Sequence, residues 1–291
     1  MTSDIKKYDF RKGLSVEFEI VRISDLYKTH KGLLTNPHRA GFYHIIWFQK
    51  GMATHLVDFN SIKIKQNSLL FLNKDIVQVF DRKENFDGKL ILFTDSFFCK
   101  TAADTNFLHG SVLFNDLFSV SNVKLSKATS ILADLFEMME AELKNGRDNY
   151  QSDILKNHLY NFLLLAEREK RKQNFKEVRK GPDLDCLLLF KDLLEKQFRK
   201  NKQVNNYASQ LSMTEKRLNH ATIKILGKTP KKMIDDRIML EAKRLLAHTH
   251  ESIKEIGFDL GFTEPTNFIK FFKKHNSSTP VEFRERLSPS L

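Results

Sequence analysis

The sequence has few of the features that secreted or membrane proteins depend on. Its 291 residues include only two cysteines, Cys99 and Cys186, far apart and without metal-ligand spacing, which favours buried thiols in a reducing compartment. No run approaches the roughly 20 apolar residues of a membrane span. The first ten residues, MTSDIKKYDF, contain charges but no apolar core. We therefore expect no signal peptide, no membrane association and a cytoplasmic location.

The composition is basic, and the positive charge is unevenly placed. The net charge is +12, but residues 1–167 carry 21 Lys and Arg against 20 Asp and Glu. The counts are 7 against 2 in residues 168–180 and 20 against 14 in residues 181–291. A basic segment attached to a neutral one is typical of a nucleic-acid reader joined to another module. A merely solvated basic surface is the alternative on charge alone.

Residues 14–98 have the pattern of many short strands. The run Phe42–Phe48 is rich in aromatic and β-branched residues, and the turn Gln49–Gly51 follows it. Closely spaced short strands are typical of a sandwich or small barrel. From about residue 105 the apolar spacing becomes helical, with stripes over 128–143 and 154–166. Both helices are expected to pack on the strands, and one of them forming a homodimer seam stays an alternative.

Residues 207–230 and 256–280 repeat one pattern at an offset of 49 to 50 residues. Each copy has the spacing of a helix-turn-helix, and a helix of about 16 residues is expected between them. At 1.5 Å per residue that connector spans roughly 24 Å. Two helix-turn-helix units so joined would present two recognition helices about one turn of DNA apart, roughly 34 Å.

The second half of the sequence resembles the DNA-binding domain of the AraC/XylS family of transcriptional regulators. The residues that carry the resemblance are Arg237–Leu246, Ser252–Gly257, Leu260–Phe262, Phe268–Lys274 and Thr279-Pro280 through Phe283-Arg284. The resemblance covers roughly residues 184–287. It implies a sequence-specific DNA-binding transcriptional regulator that acts as an activator, with RNA polymerase as a possible partner.

The first half is similar, more weakly, to the cupin-like sensor domains of the same family. This resemblance rests on His38–Tyr43, Ile45–Phe48 and Gly51. The expected fold is therefore α+β in two domains. A cupin-like β-barrel with packed helices occupies residues 1–167, a basic linker 168–183 and an all-α double helix-turn-helix domain 184–291. The barrel would bind a small-molecule effector, form a homodimer, or both.

The apolar spacing assigns candidate DNA-binding residues in both units. Leu218 and Ala221 face the core of the first unit, and Phe268, Phe271 and Phe272 that of the second. The outward candidates are Lys216, Arg217, Asn219 and His220 in the first unit, and Thr266, Asn267 and Lys270 in the second. Thr214 and Thr263 stand before the recognition helices, where they could hold phosphates or simply cap the helix. A merely solvated polar face is the alternative for the residues of the first unit. The alternative function is a structural or partner-binding protein whose basic helices meet acidic proteins.

The second unit departs from the family pattern at two positions. The family usually has an aromatic-Gly pair before the last Thr-Pro, and this chain has Asn276-Ser277. A left-handed turn costs more without glycine, so we expect the end of this unit to be reshaped. Lys270 replaces an arginine, which favours phosphate contact over bidentate recognition of guanine.

The barrel region offers little for a metal and somewhat more for a ligand. Its histidines are His30, His38, His44 and His55, with no His-x-His pair, and Gln78 stands where such barrels often have histidine. We expect no metal, no cofactor and no enzymatic activity. A metal-dependent cupin enzyme with a vestigial DNA-binding domain is the alternative function. Four residues are candidates for an effector pocket: His38, Arg39, His44 and Trp47.

Overall fold

The chain folds into two compact units, each of which is described by itself. A computed structural model describes residues 5–10, 13–14, 16–83, 85–114, 120–125, 130–146, 148–173 and 181–287. One unit is Lys6–Glu177, and the other is Val178–Leu291 grouped with Met1–Ile5. The described strands all lie in the first unit, while residues 181–287 form only helices and connections. The predicted α+β, two-domain fold class is confirmed.

The first unit contains two five-stranded sheets. One has the order β1-β3-β8-β5-β6 and the other β10-β7-β4-β9-β2. No hydrogen-bonded pair of described strands joins the two sheets, so the strands form two layers and the predicted closed barrel is not seen in this part of the chain. The described strands are β1 (Lys6–Tyr8), β2 (Phe18–Arg22), β3 (His38–Ala40), β4 (Tyr43–Gly51), β5 (Ala53–Val57), β6 (Asn60–Ile64), β7 (Ser68–Leu72), β8 (Gln78–Val79), β9 (Phe86–Phe93) and β10 (Ser121–Lys124).

The central strand β4 is buried on both faces. Tyr43 and Ile45 belong to one apolar cluster, whereas Ile46 and Phe48 belong to another. Alternate side chains of a strand point to opposite faces, which explains this division. The second cluster includes residues of both sheets, so the sheets pack face to face through it. The first cluster lies under helices, which explains why β4 reads as a continuous apolar run.

Helices cover the outer face of the second sheet. They are α2 (Asp95–Phe98), α3 (Ala102–Gly110), α4 (Ser130–Lys144) and α5 (Gln151–Arg171). The helix α1 (Ile23–Leu34) packs on the other side of that sheet, with the inter-sheet cluster. Phe136 and Met139 of α4 pack with Leu159 and Phe162 of α5 in the first cluster. The prediction that two helices pack on the strands is confirmed, although Ala128 of the predicted stripe lies outside the described residues.

The helical unit is built around one apolar core. Its helices are α6 (Pro182–Gln197), α7 (Val204–Gln210), α8 (Glu215–Leu226), α9 (Pro230–His248), α10 (Ile253–Asp259), α11 (Pro265–Asn276) and α12 (Pro280–Leu287). The connecting helix α9 has 19 residues, about 28 Å at 1.5 Å per residue, somewhat longer than predicted. Its buried residues Ile234, Ile238 and Ala242 join side chains of both helix-turn-helix units in the same cluster.

The predicted linker, residues 168–183, is only partly non-helical. The helix α5 extends to Arg171, and α6 begins at Pro182. Residues 174–180, which carry part of the predicted positive charge, lie outside the described residues. The exact limits of the linker therefore stay a prediction.

Candidate functional site

The first helix-turn-helix consists of α7 and α8, and its second helix has well-defined ends. The Thr214 hydroxyl accepts a hydrogen bond from the Arg217 backbone N–H at 3.1 Å, so Thr214 is the N-cap of α8. The helix ends at Gly227 with φ 68°, a left-handed conformation that glycine adopts without steric cost. Leu218 and Ala221 are fully buried against the core. The opposite face of α8 is therefore directed outward.

Three of the predicted recognition residues lie on that outward face. Lys216, Asn219 and His220 are exposed, and none of their side chains has a hydrogen bond or ion pair to another described residue. Asparagine can bond adenine through two hydrogen bonds, and lysine can donate to the acceptors of guanine. The face thus presents donors and acceptors suited to base edges in a major groove.

Arg217, unlike these three residues, has hydrogen-bond partners within the protein. Its guanidinium donates to a carboxylate oxygen of Asp183 and to the carbonyl oxygen of Pro182, the latter at 2.8 Å. Lys224 donates to the other carboxylate oxygen of Asp183 at 2.7 Å. Hydrogen bonds from Lys224 and Arg217 lower the pKa of Asp183. Arg217 thus ties α8 to the start of α6, so its guanidinium is already paired within the protein, while its contact with DNA stays a prediction.

The second helix-turn-helix, α10 and α11, repeats this arrangement. Phe268 and Phe272 are fully buried. The predicted residues Thr266, Asn267 and Lys270 are exposed on α11, and their side chains are unengaged by other described residues. The two units thus present comparable outward faces, with a positive charge in each.

Thr263 does not occupy the position that Thr214 has in the first unit. The N-cap of α11 is Glu264, whose side chain makes no capping hydrogen bond, and Pro265 follows at the first helical position. Thr263 is exposed one residue earlier. The capping explanation therefore holds for Thr214 and fails for Thr263, because the second recognition helix begins one residue later.

Each helix-turn-helix unit has two residues in the left-handed conformation, one glycine and one serine, and the two residue types occur in opposite order in the two units. At the turn between the helices the first unit has Ser212 (φ 52°) and the second has Gly261 (φ 75°). At the end of the recognition helix the first has Gly227 and the second Ser277, with φ 55°. Ser277 thus adopts nearly the same conformation as Gly227. The expectation that the end of the second unit would be reshaped is wrong, because the serine accepts the left-handed conformation.

A cluster of polar contacts joins the two units, and the sequence patterns did not indicate it. Arg199, just after α6, donates to Glu241 of α9 at 3.1 Å and to Asp259 of α10. Lys202 donates to the carbonyl oxygens of Arg199 at 3.2 Å and of Gly261 at 2.6 Å. We call these five residues the inter-unit joint. It links the segment that leads into the first unit to the turn of the second.

The joint is anchored by a buried charge. Glu241 is only 1% exposed and also accepts hydrogen bonds from Arg237 at 3.2 Å and Arg244 at 3.0 Å. A buried carboxylate is tolerable only when such charged donors surround it. Because Arg199 is one of these donors, the position of the second unit depends on the same carboxylate that stabilises the connecting helix.

The first unit of the chain contains a separate cavity of about 310 Å³ between α1 and the inner faces of the sheets. Its described lining residues are Tyr8, Asp9, Phe10, Glu19, Leu26, His30, Leu33, Leu34, His38, Ala40, Phe42, His44, Phe80, Leu90 and Leu92. This size lies at the lower end of the roughly 300–1,000 Å³ that small-molecule pockets occupy.

Two of the four predicted pocket residues line this cavity and two do not. His38 and His44 line it. Arg39 lies between His38 and Ala40 on β3, so strand alternation directs it to the opposite face. Trp47 packs on Phe136 of α4, with ring centroids 5.4 Å apart, on the helix-covered face of its sheet. The assignments of Arg39 and Trp47 to the pocket are therefore corrected.

The buried histidines form a hydrogen-bonded chain through Gln78. The Gln78 amide contacts His55 Nε2 at 3.0 Å and His44 Nε2 at 3.2 Å. Burial lowers the pKa of His44 to about 3, with smaller contributions from His38 and His55. Burial likewise lowers the pKa of His55 to about 4. These imidazoles are neutral at pH 7, and each can only donate or accept one hydrogen bond per nitrogen.

Within the described parts of the chain, no group of three or more His, Cys, Asp or Glu side chains could hold a metal ion. The helices of those same parts include none that is both long and apolar enough to cross a membrane.

Comparison with known proteins addresses the function of the two helix-turn-helix units. Residues 207–286 match a family model described as a helix-turn-helix domain. The chain is 20% identical over 251 residues to the HTH-type transcriptional activator RhaS of Escherichia coli O157:H7 strain EC4115, covering 85% of this chain and 87% of that protein. The chain is therefore similar to AraC-type transcriptional regulators. It is a DNA-binding transcriptional regulator, and the relatives that it matches are transcriptional regulators.

Two solved structures are also similar to this chain. ToxT from Vibrio cholerae is 16% identical, with a TM-score of 0.45 over 94% of this chain and 100% of ToxT. A regulator from Chromobacterium violaceum described as containing an AraC-type DNA-binding domain is 23% identical. Its TM-score is 0.33, over 37% of this chain and 96% of that one.

Proposed function

We propose that this regulator recognises a specific promoter sequence chiefly through α8. The observation that carries the proposal is the outward face formed by Lys216, Asn219 and His220, whose side chains are exposed and unengaged. Side chains that are free of intramolecular partners can bond base edges without first breaking a contact within the protein. Arg217 is left out of this set because Asp183 holds its guanidinium.

The second recognition helix, α11, is proposed to contribute more affinity than specificity. Lys270 is a compact charge that suits a phosphate oxygen better than the paired acceptors of guanine. Thr266 and Asn267 are the candidates there for contacts to bases or backbone, and Thr263, Thr214 and nearby backbone N–H groups for phosphates. The inter-unit joint supports the proposal, since it gives the two helices a defined separation.

The test is selection of preferred duplexes from a random library, followed by binding titrations at several salt concentrations. We expect Asn219→Ala and His220→Ala to change the preferred sequence at the positions they contact, each costing about 1–3 kcal/mol for the original site. Lys270→Ala should weaken binding to all sequences alike and reduce the salt slope by about 1. Lys196→Ala removes the same charge from an exposed position on α6 and serves as the control. Unchanged sequence preference in both α8 variants would refute the assignment.

We further propose that a small molecule bound in the sheet-containing unit, Lys6–Glu177, controls DNA binding. The cavity of about 310 Å³ lined by His38 and His44 supports this proposal. An effector acts by binding one of two arrangements more tightly than the other, which shifts their populations. The test is whether a compound that raises the melting temperature of the sheet-containing unit also changes the affinity of the full chain for its DNA site.

Four further assignments complete the proposal. We infer an activator because the relative RhaS is described as one, and contact with RNA polymerase would then be needed. Homodimerisation is proposed from the exposed apolar residues Ile131 and Met138 of α4 and Leu164 of α5. A cytoplasmic location agrees with the two free cysteines. Sedimentation of the full chain across concentrations tests the dimer, and transcription in a purified system tests activation.

A further inference from the structure

The described walls of the cavity carry negative charge and no fixed positive charge. Asp9 and Glu19 are among its lining residues, and no lysine or arginine is among those that the structure describes. Neither carboxylate forms a hydrogen bond or ion pair with another described residue. His38 and His44 add no charge at neutral pH, since burial lowers both pKa values. A bound carboxylate would therefore meet two carboxylates here and no lysine or arginine among the described lining residues.

Glu19 and His44 lie in one row across the inner face of the sheet. Glu19 is paired with Leu92, and Leu92 is paired with His44, so one strand separates them. At about 4.8 Å per strand the two backbones are roughly 10 Å apart. Leu90 and Leu92 supply an apolar floor beside this row. The arrangement can hold a molecule with an apolar body and a polar group at one or both ends.

Two buried polar atoms at the cavity lack a well-formed hydrogen bond, although the Phe42 backbone carbonyl lies close enough to His44 to raise its pKa slightly against the larger effect of burial. The Tyr8 hydroxyl and His44 Nδ1 are shielded from solvent and make no hydrogen bond of ordinary geometry with described residues. The Gln78 amide nitrogen can donate to His44 Nε2, which leaves the proton on Nδ1. Leaving a buried polar atom unsatisfied is costly, so a bound group that pairs with these atoms would be favoured.

We propose that the cavity binds a small, mainly apolar molecule that carries a hydroxyl or amine donor and no carboxylate. Glu19 accepts from the donor, and His44 and Tyr8 bond a polar group at the other end of the row. This inference rests on the proposed effector role of the same cavity and narrows it to one chemical class.

Three probes of matched size test the proposal: 2-phenylethylamine, 2-phenylethanol and phenylacetate. Each is titrated against the full chain by calorimetry at pH 7. The amine and the alcohol are expected to bind at least about tenfold more tightly than the carboxylate. Glu19→Gln should narrow the gap between amine and carboxylate, while Glu137→Gln, which makes the same charge change at an exposed site on α4, should leave it unchanged.

The outcomes separate this inference from the effector proposal. Tighter binding of phenylacetate, or an unchanged difference in affinity between amine and carboxylate in Glu19→Gln, overturns the chemical class alone. Absence of binding by all three probes overturns the cavity as a site for this class. Binding in the expected order without any change in DNA affinity supports the class and refutes the effector role.

Discussion

Lowering the pH from 7 to 5 should destabilise the sheet-containing unit, Lys6–Glu177, through its buried histidines His44 and His55. The pKa of His44 is about 3 and that of His55 about 4, because burial disfavours the charged imidazolium. An unfolded histidine has a pKa of about 6.5 and gains a proton across this range, whereas the folded one does not. At about 1.4 kcal/mol per pH unit, the 1.5 units between 6.5 and 5 remove about 2 kcal/mol for each histidine. The expected loss is roughly 4 kcal/mol.

The sign and the window of this effect follow from which state binds the proton. Below pH 6.5 the unfolded state binds more protons than the folded state, so stability falls as the pH falls. The contribution of these two neutral histidines to the free energy of unfolding is fully present above pH 6.5. It declines as the pH falls toward the folded pKa values of His44 and His55. Carboxylates act at lower pH: burial would raise the pKa of Asp95, but hydrogen bonds from His109 and Lys74 lower it. Its contribution is lost only below the ordinary value of about 3.8, outside the range between 7 and 5.

The single tryptophan makes this measurable in the full chain. Trp47 packs against Phe136 inside the first unit, so its fluorescence reports on unfolding of that unit and not of the helical one. Urea unfolding curves at pH 7, 6 and 5 yield the free energy of unfolding at each pH. A loss of less than about 1 kcal/mol between pH 7 and 5 would refute the reasoning.

The variant His55→Gln tests whether the buried histidines cause this pH dependence. His55→Gln keeps a donor for the Gln78 amide oxygen, which now accepts from His55 Nε2 at 3.0 Å, but it removes one titrating group. The variant is expected to lose about half of the pH dependence, whatever its stability at pH 7. A slope equal to that of the parent chain would show that other groups cause the effect.

The remaining predictions concern the helical unit, and circular dichroism at 222 nm follows its unfolding. A Cβ at Gly227 meets no atom within 4 Å, so Gly227→Ala should cost about 1 kcal/mol from the left-handed backbone alone. A Cβ at Gly261 would lie 1.8 Å from the Arg199 carbonyl oxygen, so Gly261→Ala should cost about 3–5 kcal/mol, and equal costs would disprove the steric argument. Ser277→Gly should stabilise the unit by about 1 kcal/mol by relieving a left-handed serine, and destabilisation would contradict this. Arg199→Ala should weaken binding to a complete DNA site more than to a site for α8 alone, which competition titrations measure; equal weakening would mean that the joint does not set the spacing of the two helices.

The predictions that rested on short-range patterns were confirmed. Thr214 caps α8, as its position before that helix indicated. The structure also has capping boxes of the same short range, Ser252 with Glu255 at the start of α10 and Thr279 with Glu282 before α12. A capping bond joins residues three apart, so its partners are adjacent in the sequence whatever the rest of the fold does. The repeat and the buried positions of both helix-turn-helix units follow from the same local periodicity.

Side-chain partners distant in the sequence were not predicted. Alternation along a strand shows that Arg39 and Trp47 face away from their neighbours His38 and His44, but which face encloses a cavity depends on how the two sheets pack. The sequence pattern alone therefore could not predict which residues line the cavity.

The sequence by itself determined that this protein has a helix-turn-helix repeat, where the helices of that repeat begin, and which family of regulators it resembles, since these depend on short motifs and their spacing. Only the tertiary structure decided that Arg217 is held by Asp183, 34 residues away, and that Arg199 joins Glu241 to Asp259 across 42 and 60 residues. An ionic side chain can pair with any opposite charge that the fold brings near it, and proximity of this kind has no period in the sequence. The repeated units were thus visible at once, while the contacts that hold them in register, and that leave Lys216, Asn219 and His220 free for DNA, required the fold.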